Sequence, residues 1–184
     1  MTFEELRAEC LACQKCELAA TRTNVVFGTG NEHADILFVG EGPGKNEDES
    51  GVPFVGRAGQ LLDSYLTAVG LRRDDVYIAN IVKCRPPQNR DPRPEEQAAC
   101  IGYLREQFRL IAPKLVVCLG RIAAMKLIDD GFKVTRDHGQ IFTKGGVRMM
   151  GTYHPAALLR NPANKADSLE DFKRIAAIAH EDTP

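Results

Sequence analysis

"ADILFVGEGPGKNEDESGVPFVGRAG", residues 34–59, decides the fold class. It opens as an apolar run, the strand candidate 34–40, and passes at once into a turn-dense segment with six glycines between positions 40 and 59. Three further runs have the same character: "DVYIANIVK" (75–83), "KLVVCLG" (114–120) and "VRMMGTYH" (147–154). The middle two are apolar enough for a parallel sheet covered on both faces. Helix candidates lie between the runs at 56–69, 94–111 and 121–129, and "AALLR" after Pro155 and "SLEDFKRIAAIAH" add two more. Strands that alternate with helices predict an α/β protein, a three-layer α/β/α sandwich with right-handed crossovers. No repeat, low-complexity tract or linker divides the chain, so residues 1–184 read as one domain. In such sheets ligands bind beyond the carboxyl ends of the strands. Segments 40–44, 83–94 and 154–162 each follow a strand and are expected to meet at one rim.

Composition narrows the function classes. With 184 residues and 43% hydrophobic content, the chain can bury roughly two thirds of its unfolded surface without disulfide staples. "MTFEELRAEC" has no apolar run like that of a signal peptide, and no segment approaches the ~18 apolar residues of a membrane span. The expectation is a cytoplasmic monomer that does not engage a membrane, with its six cysteines reduced. A net charge of −1 means that any contact with nucleic acid comes from local basic clusters.

The glycine-rich stretch fails the usual phosphate-loop templates. A Walker loop would need Ser or Thr at Asn46 and glycine at Val39; a dinucleotide fingerprint through Gly40 and Gly42 would need glycine at Lys45. The stretch also carries Glu41, Glu47, Asp48 and Glu49, which repel phosphate. A tight loop remains that can admit an uncharged planar group and hold carboxylates beside it.

Four cysteines have a spacing that local structure does not require. Cys13 and Cys16 form a CxxC near the amino terminus, Cys84 ends the second strand, and Cys100 lies in the next helix. Two thiolates on one turn and two from elsewhere suit a tetrahedral or cubane metal site, the alternative being buried, inert cysteines. Four thiolates do not separate zinc from an iron–sulfur cluster. Cys118 sits inside an apolar strand and reads as core, and Cys10 is too close to Cys13 to share the CxxC geometry.

"GEGPGKNEDESGVPFVGRAGQLLD", "YIANIVKCRPPQNRDP" and "HPAALLRNP", taken with these cysteines, resemble the family 4 uracil-DNA glycosylases, the iron–sulfur branch of that superfamily. The resemblance covers nearly the whole chain. It implies a [4Fe-4S] cluster on Cys13, Cys16, Cys84 and Cys100, a four-stranded, mainly parallel central sheet, and hydrolytic removal of uracil from double- or single-stranded DNA. The loop composition then has a reason. Uracil flipped out of DNA is planar and uncharged, so backbone at Gly40 and Gly42 can approach its edge while phosphates stay outside. Carboxylates stabilise the oxocarbenium-like sugar that forms when the N-glycosidic bond breaks. Glu41 is the first catalytic candidate, a loop-capping carboxylate being the other reading.

In the first family a water-activating aspartate stands where this chain has Gly42. By resemblance to other iron–sulfur members, Asn89 is a candidate for orienting the water. A covalent-binding offshoot carries an inserted basic loop with a histidine, which "RPPQNRDPRP" lacks, so turnover is expected. Asn80 is the expected base reader: its amide can accept from uracil N3–H and donate to O4, whereas cytosine presents the reverse pattern. Phe54 would stack on the ring, and Glu47 would line the wall near C5 and exclude thymine's methyl group. Capping of the strand end and core packing are the structural readings of Asn80 and Phe54. His154, at the end of the fourth strand, would donate to uracil O2 as the base departs, a structural histidine at a strand end being the other reading.

Lys83, Arg85, Arg90 and Arg93 cluster among four prolines, and Arg160 and Lys165 follow the histidine motif; both sets are candidates for DNA phosphates. Leu158 and Leu159 would wedge into the gap left by the flipped nucleotide if exposed, and are helix core if buried. An iron–sulfur module that binds nucleic acid without cutting it would fit the cysteines and basic loop as well. A zinc-stabilised esterase or transferase lacks a GxSxG serine.

Overall fold

Six strands form one mixed sheet in the computed structural model, which describes residues 1–181. They are β1 (Thr29–Gly30), β2 (Ile36–Gly40), β3 (Tyr77–Asn80), β4 (Leu115–Leu119), β5 (Ile141–Lys144) and β6 (Val147–Thr152), in the spatial order β1-β3-β2-β4-β6-β5. The inner four run parallel, and β1 and β5 lie antiparallel on the two edges. The expected four strands are thus the parallel centre, but the sheet has six strands, not four. The extra pair escapes a periodicity reading because β1 has two residues and β5 is largely exposed.

Nine α-helices accompany the sheet among the described residues: α1 (Phe3–Leu11), α2 (Leu18–Thr21), α3 (Lys45–Ser50), α4 (Arg57–Ala68), α5 (Pro94–Ile111), α6 (Arg121–Leu127), α7 (Val134–Asp137), α8 (Pro155–Arg160) and α9 (Lys165–Ala179). Strand alternation assigns them to layers. On β2, Leu37 and Val39 share a core with residues of α1, α5 and α6, whereas Ile36 and Phe38 pack with residues of α4, α8 and α9. On the second face Phe38 stacks on Phe172 at 5.8 Å, and Phe172 on Tyr65 at 5.0 Å. Burying one such side chain stabilises the fold by roughly 1.5–3 kcal/mol.

Local sequence explains two of the helices. In α4 the buried Leu62, Tyr65 and Leu66 recur at helical spacing, which turns one face onto the sheet. Helix α5 starts where Pro94 fits the first turn and where Glu96 accepts from the Arg93 N–H at 2.8 Å. The register pairs Gly40 with Asn80 and Leu119 with Thr152, so all four parallel strands end at the same rim.

Candidate active site

At that rim a cleft of about 320 Å³ is lined by Glu41, Gly42, Phe54, Asn80, Asn89 and His154, among others. Asn80 ends β3 and is 2% exposed, and its Oδ1 has no hydrogen-bond partner among the described residues. A buried acceptor left unpaired costs about 1–3 kcal/mol, so its natural complement is a donor brought by a ligand. Gly40 makes room for it. A Cβ there would stand 2.5 Å from Asn80 Oδ1 and 2.7 Å from the Phe54 ring.

Phe54 is buried and adopts φ +53°, a conformation that non-glycine residues rarely take. Such backbone costs on the order of 1–3 kcal/mol and persists only where its surroundings hold it. Here the Arg73 guanidinium donates to the carbonyls of Pro53 and Phe54 and pairs with Asp63. Gly59 admits the bend, since a Cβ there would lie 1.8 Å from the Phe54 carbonyl oxygen. The ring faces the His154 imidazole at 5.5 Å and 32°.

Of the four acids in the glycine-rich stretch, only Glu41 and Glu47 line the cleft, and Glu47 is already engaged. One of its oxygens accepts from the Gly44 N–H and the other from those of Val55 and Gly56, all at 3.0 Å. It therefore ties the two loop segments together, besides forming part of the wall. Asp48, which is buried, accepts from the Thr23 and Asn24 amides. Both lie on α3, a short helix that the glycine count concealed.

Glu41 is half-buried, and burial, aided by a hydrogen bond with Asp91, pushes its carboxyl up to about 7. Arg121 pairs with Asp91 at 3.0 Å and holds that carboxyl below its usual range. A second cleft of about 310 Å³ opens on this side, lined by Glu41, Asp91, Gly120, Arg121, His154 and Arg160, among others. His154 Nδ1 accepts from the Ala156 N–H at 3.0 Å. Burial, with Arg160 nearby, lowers its pKa to about 4, so the ring is neutral with its proton on Nε2. Gly120, at φ +93°, clears space for this ring: a Cβ there would meet His154 Cβ at 2.8 Å.

Asp91, Arg121, Gly120, Arg73 and Gly59 are not found by reading the sequence. One signal was available. "LGR" at 119–121 follows a parallel strand, and the same rule that placed the other three segments at the rim places it there too.

The basic residues divide. Asn89 (φ +55°) lines the cleft with its Oδ1 accepting from Arg85 Nε at 2.8 Å, and Arg160 is exposed at the mouth. Arg90 also lines the cleft, and it grips the nearly buried Glu96 in a bidentate pair at 2.7 and 2.8 Å. Lys83 is no surface cation. It is 1% exposed, its Nζ donates to Gln107 Oε1 at 2.6 Å, and burial lowers its pKa to about 8. The chain stays in the core from Ile81 to Cys84, which a charged residue after a strand does not announce. Leu158 is likewise core, at 1% exposure, and no wedge; Leu159 is half-buried.

Cys13, Cys16, Cys84 and Cys100 line one cavity between the amino-terminal helices, the end of the β3 segment and α5. N–H groups point at three of the sulfurs: Lys83 N to Cys100 at 3.3 Å, and Lys15 N to Cys13 and Arg22 Nη1 to Cys84, both at 3.5 Å. Cys10 forms part of the same wall, its thiol pushed up to about 12 by burial, and Cys118 is buried in β4. Among the described residues, no three His, Cys, Asp or Glu side chains converge on one point as around a single metal ion.

Residues 27–177 match the model of the uracil DNA glycosylase superfamily. The whole chain is 45% identical to a type-4 uracil-DNA glycosylase of Archaeoglobus fulgidus, over 96% of that protein. The type-4 uracil-DNA glycosylase of Thermotoga maritima is 50% identical over 90% of this chain and 88% of its own length. That of Sulfurisphaera tokodaii is 43% identical over 97% and 85%.

Proposed function

We propose how the cleft works from one premise: this chain belongs to the uracil-DNA glycosylase superfamily, and within it stands with the type-4 enzymes. It hydrolyses the N-glycosidic bond of deoxyuridine in DNA, releases uracil and leaves an abasic site for base excision repair. The observation that carries our assignment of roles is the unpartnered Oδ1 of Asn80, buried beside Phe54 at the floor of the cleft.

Extruded uracil enters the cleft and lies against Phe54. Asn80 Oδ1 accepts from N3–H and its amide donates to O4; cytosine would set lone pair against lone pair and donor against donor. Gly40 and Gly42 let the backbone reach the base edge. His154 Nε2–H donates to O2, where charge accumulates as the C1′–N1 bond breaks and its electron pair leaves with the base. A donor so placed lowers the barrier by about 3 kcal/mol. The sugar becomes an oxocarbenium-like cation beside Glu41. A water held by Glu41 and the Asn89 amide bonds to C1′ through its oxygen, and its proton passes to the Glu41 carboxylate. Arg85, Arg90 and Arg160 meet the phosphates outside.

A [4Fe-4S] cluster on Cys13, Cys16, Cys84 and Cys100 completes the reading. The four thiols share one cavity with N–H donors aimed at sulfur, and a cubane spreads its ligands over separate irons, so they need not converge on one point. When bound, the cluster supplies a cross-link between distant segments, and the chain's own residues do the glycosidic chemistry.

The test is release of free uracil from an oligonucleotide holding one uracil, by purified protein with its metal content intact. Uracil release with none of cytosine or thymine is expected. Tight binding without release would instead fit the nucleic-acid-binding module.

A further inference from the structure

Glu41 has a neighbour for which the reaction so far finds no use. Asp91 enters from the loop before α5 and lines the second cleft together with Glu41, whose carboxyl it helps to raise by hydrogen bonding and like charge. Arg121, the first residue of α6, pairs with Asp91 at 3.0 Å. The end of β2, the proline-rich loop and the start of α6 thus set carboxyl, carboxyl and guanidinium side by side. Two carboxylates this close repel each other, and one shared proton turns that repulsion into a hydrogen bond.

We propose that Asp91 is a positioning residue for excision: it shares a proton with Glu41, fixes the direction of that carboxyl against Arg121, and adds to burial in raising the pH above which Glu41 is free to act as a base. This rests on the reading of Glu41 as the base. The proton of the pair resides on Glu41. Arg121 stabilises Asp91 as the anion, and Asp91 is the more exposed of the two. The other charged or titratable groups facing Glu41 across the two clefts do not take over this role. His154 is neutral, Glu47 is bound by three amides, Arg90 is held by Glu96, and Arg160 reaches outward. Once the shared proton leaves to solvent, Glu41 can accept one from the attacking water as the oxygen bonds to C1′.

Two readouts test this: the pH profile of single-turnover excision at saturating enzyme, and titration of the Glu41 carboxyl by carbon NMR, its signal assigned by loss in Glu41→Gln. In Asp91→Asn the like charge is gone and an amide donates to Glu41, so both midpoints fall by about one pH unit or more. In Arg121→Gln a cation is lost and both midpoints rise. Opposite displacements in the two variants support the pairing. A uniform rate loss with unmoved midpoints makes Asp91 merely structural and overturns it. If Glu41→Gln excises at the wild-type rate while the NMR midpoints still move as described, the pairing stands as geometry, but Glu41 is not the base and Asp91 has no part in excision.

Discussion

His154 and Ala156 are joined by a 3.0 Å hydrogen bond in which the backbone N–H donates to imidazole Nδ1, leaving Nε2 as the ring's only donor. The tautomer is fixed by the first turn of α8, so His154 needs no second charge to donate toward a departing base. His154→Ala is expected to slow single-turnover excision at least a hundredfold, the equivalent of about 3 kcal/mol. Binding to abasic DNA and the fold should survive. Because the ring is neutral down to about pH 4, the wild-type profile should have no histidine inflection between pH 5 and 8, and the acid limb of Glu41 should persist in the variant. A rate within threefold of wild type would make this histidine structural.

Asn80→Asp places an acceptor-only group where a donor to O4 is required, and uracil excision should fall sharply. A trace of activity on cytosine is expected, since its N4 amine can donate to the carboxylate. Gly40→Ala should be as damaging without removing a polar group, because its methyl would occupy the space of Asn80 Oδ1 and the Phe54 ring. Both are checked by excision rates on otherwise identical uracil and cytosine duplexes. Undiminished uracil excision in either variant would remove Asn80 from base reading.

Stability should depend on pH through two groups of opposite sign. Glu41, raised from 4.5 to about 7 chiefly by burial, takes up its proton more readily when folded; it favours folding below pH 4.5, and that contribution disappears as pH rises through 7. His154, lowered from 6.5 to about 4 by burial, favours folding above pH 6.5 and loses that contribution as pH falls through 4. The two slopes oppose each other between pH 4.5 and 6.5. Glu41→Gln should flatten the decline on the neutral side, and His154→Gln the decline on the acid side, in urea midpoints measured from pH 4 to 8. A Glu41→Gln curve parallel to wild type would mean an ordinary carboxyl.

Anaerobically purified protein should carry four irons and four acid-labile sulfides per chain. Replacing Cys13, Cys16, Cys84 or Cys100 with alanine should lower that content and the melting temperature together. Cys118→Ala should lose packing but no iron, and Cys10→Ala should keep the cluster although Cys10 forms part of the same cavity wall. Stoichiometric zinc without sulfide would replace the cubane with a different centre.

The parallel centre of the sheet was legible because four apolar runs end in turn-forming residues. The edge strands were not, since exposure erases the alternation on which such readings rest. Gly40, Glu41, Phe54, Asn80 and His154 could each be picked out from quoted motifs; the last four line one cleft, and Gly40 lies against Asn80 and Phe54. Asp91 and Arg121 could not, because thirty positions separate them and only the packing of α6 beside the proline-rich loop joins them. Lys83 and Leu158 failed for a common reason. Burial is decided by what lies across from a side chain: Gln107 for the lysine, and the α4 and α9 core for the leucine.

The two antiparallel edges also bear on how the molecule behaves when crowded. A bare parallel sheet would present unpaired backbone along both margins, an invitation to strand-to-strand aggregation. Here β1 is too short to serve as a template, and Gly30 lies so close to the Val76 carbonyl that no side chain fits. On the other margin, β5 ends at the exposed Lys144 and turns back through Gly145 and Gly146 onto β6. Strands that add nothing to the cleft thereby leave, at either margin, little flat backbone on which a further strand could be templated.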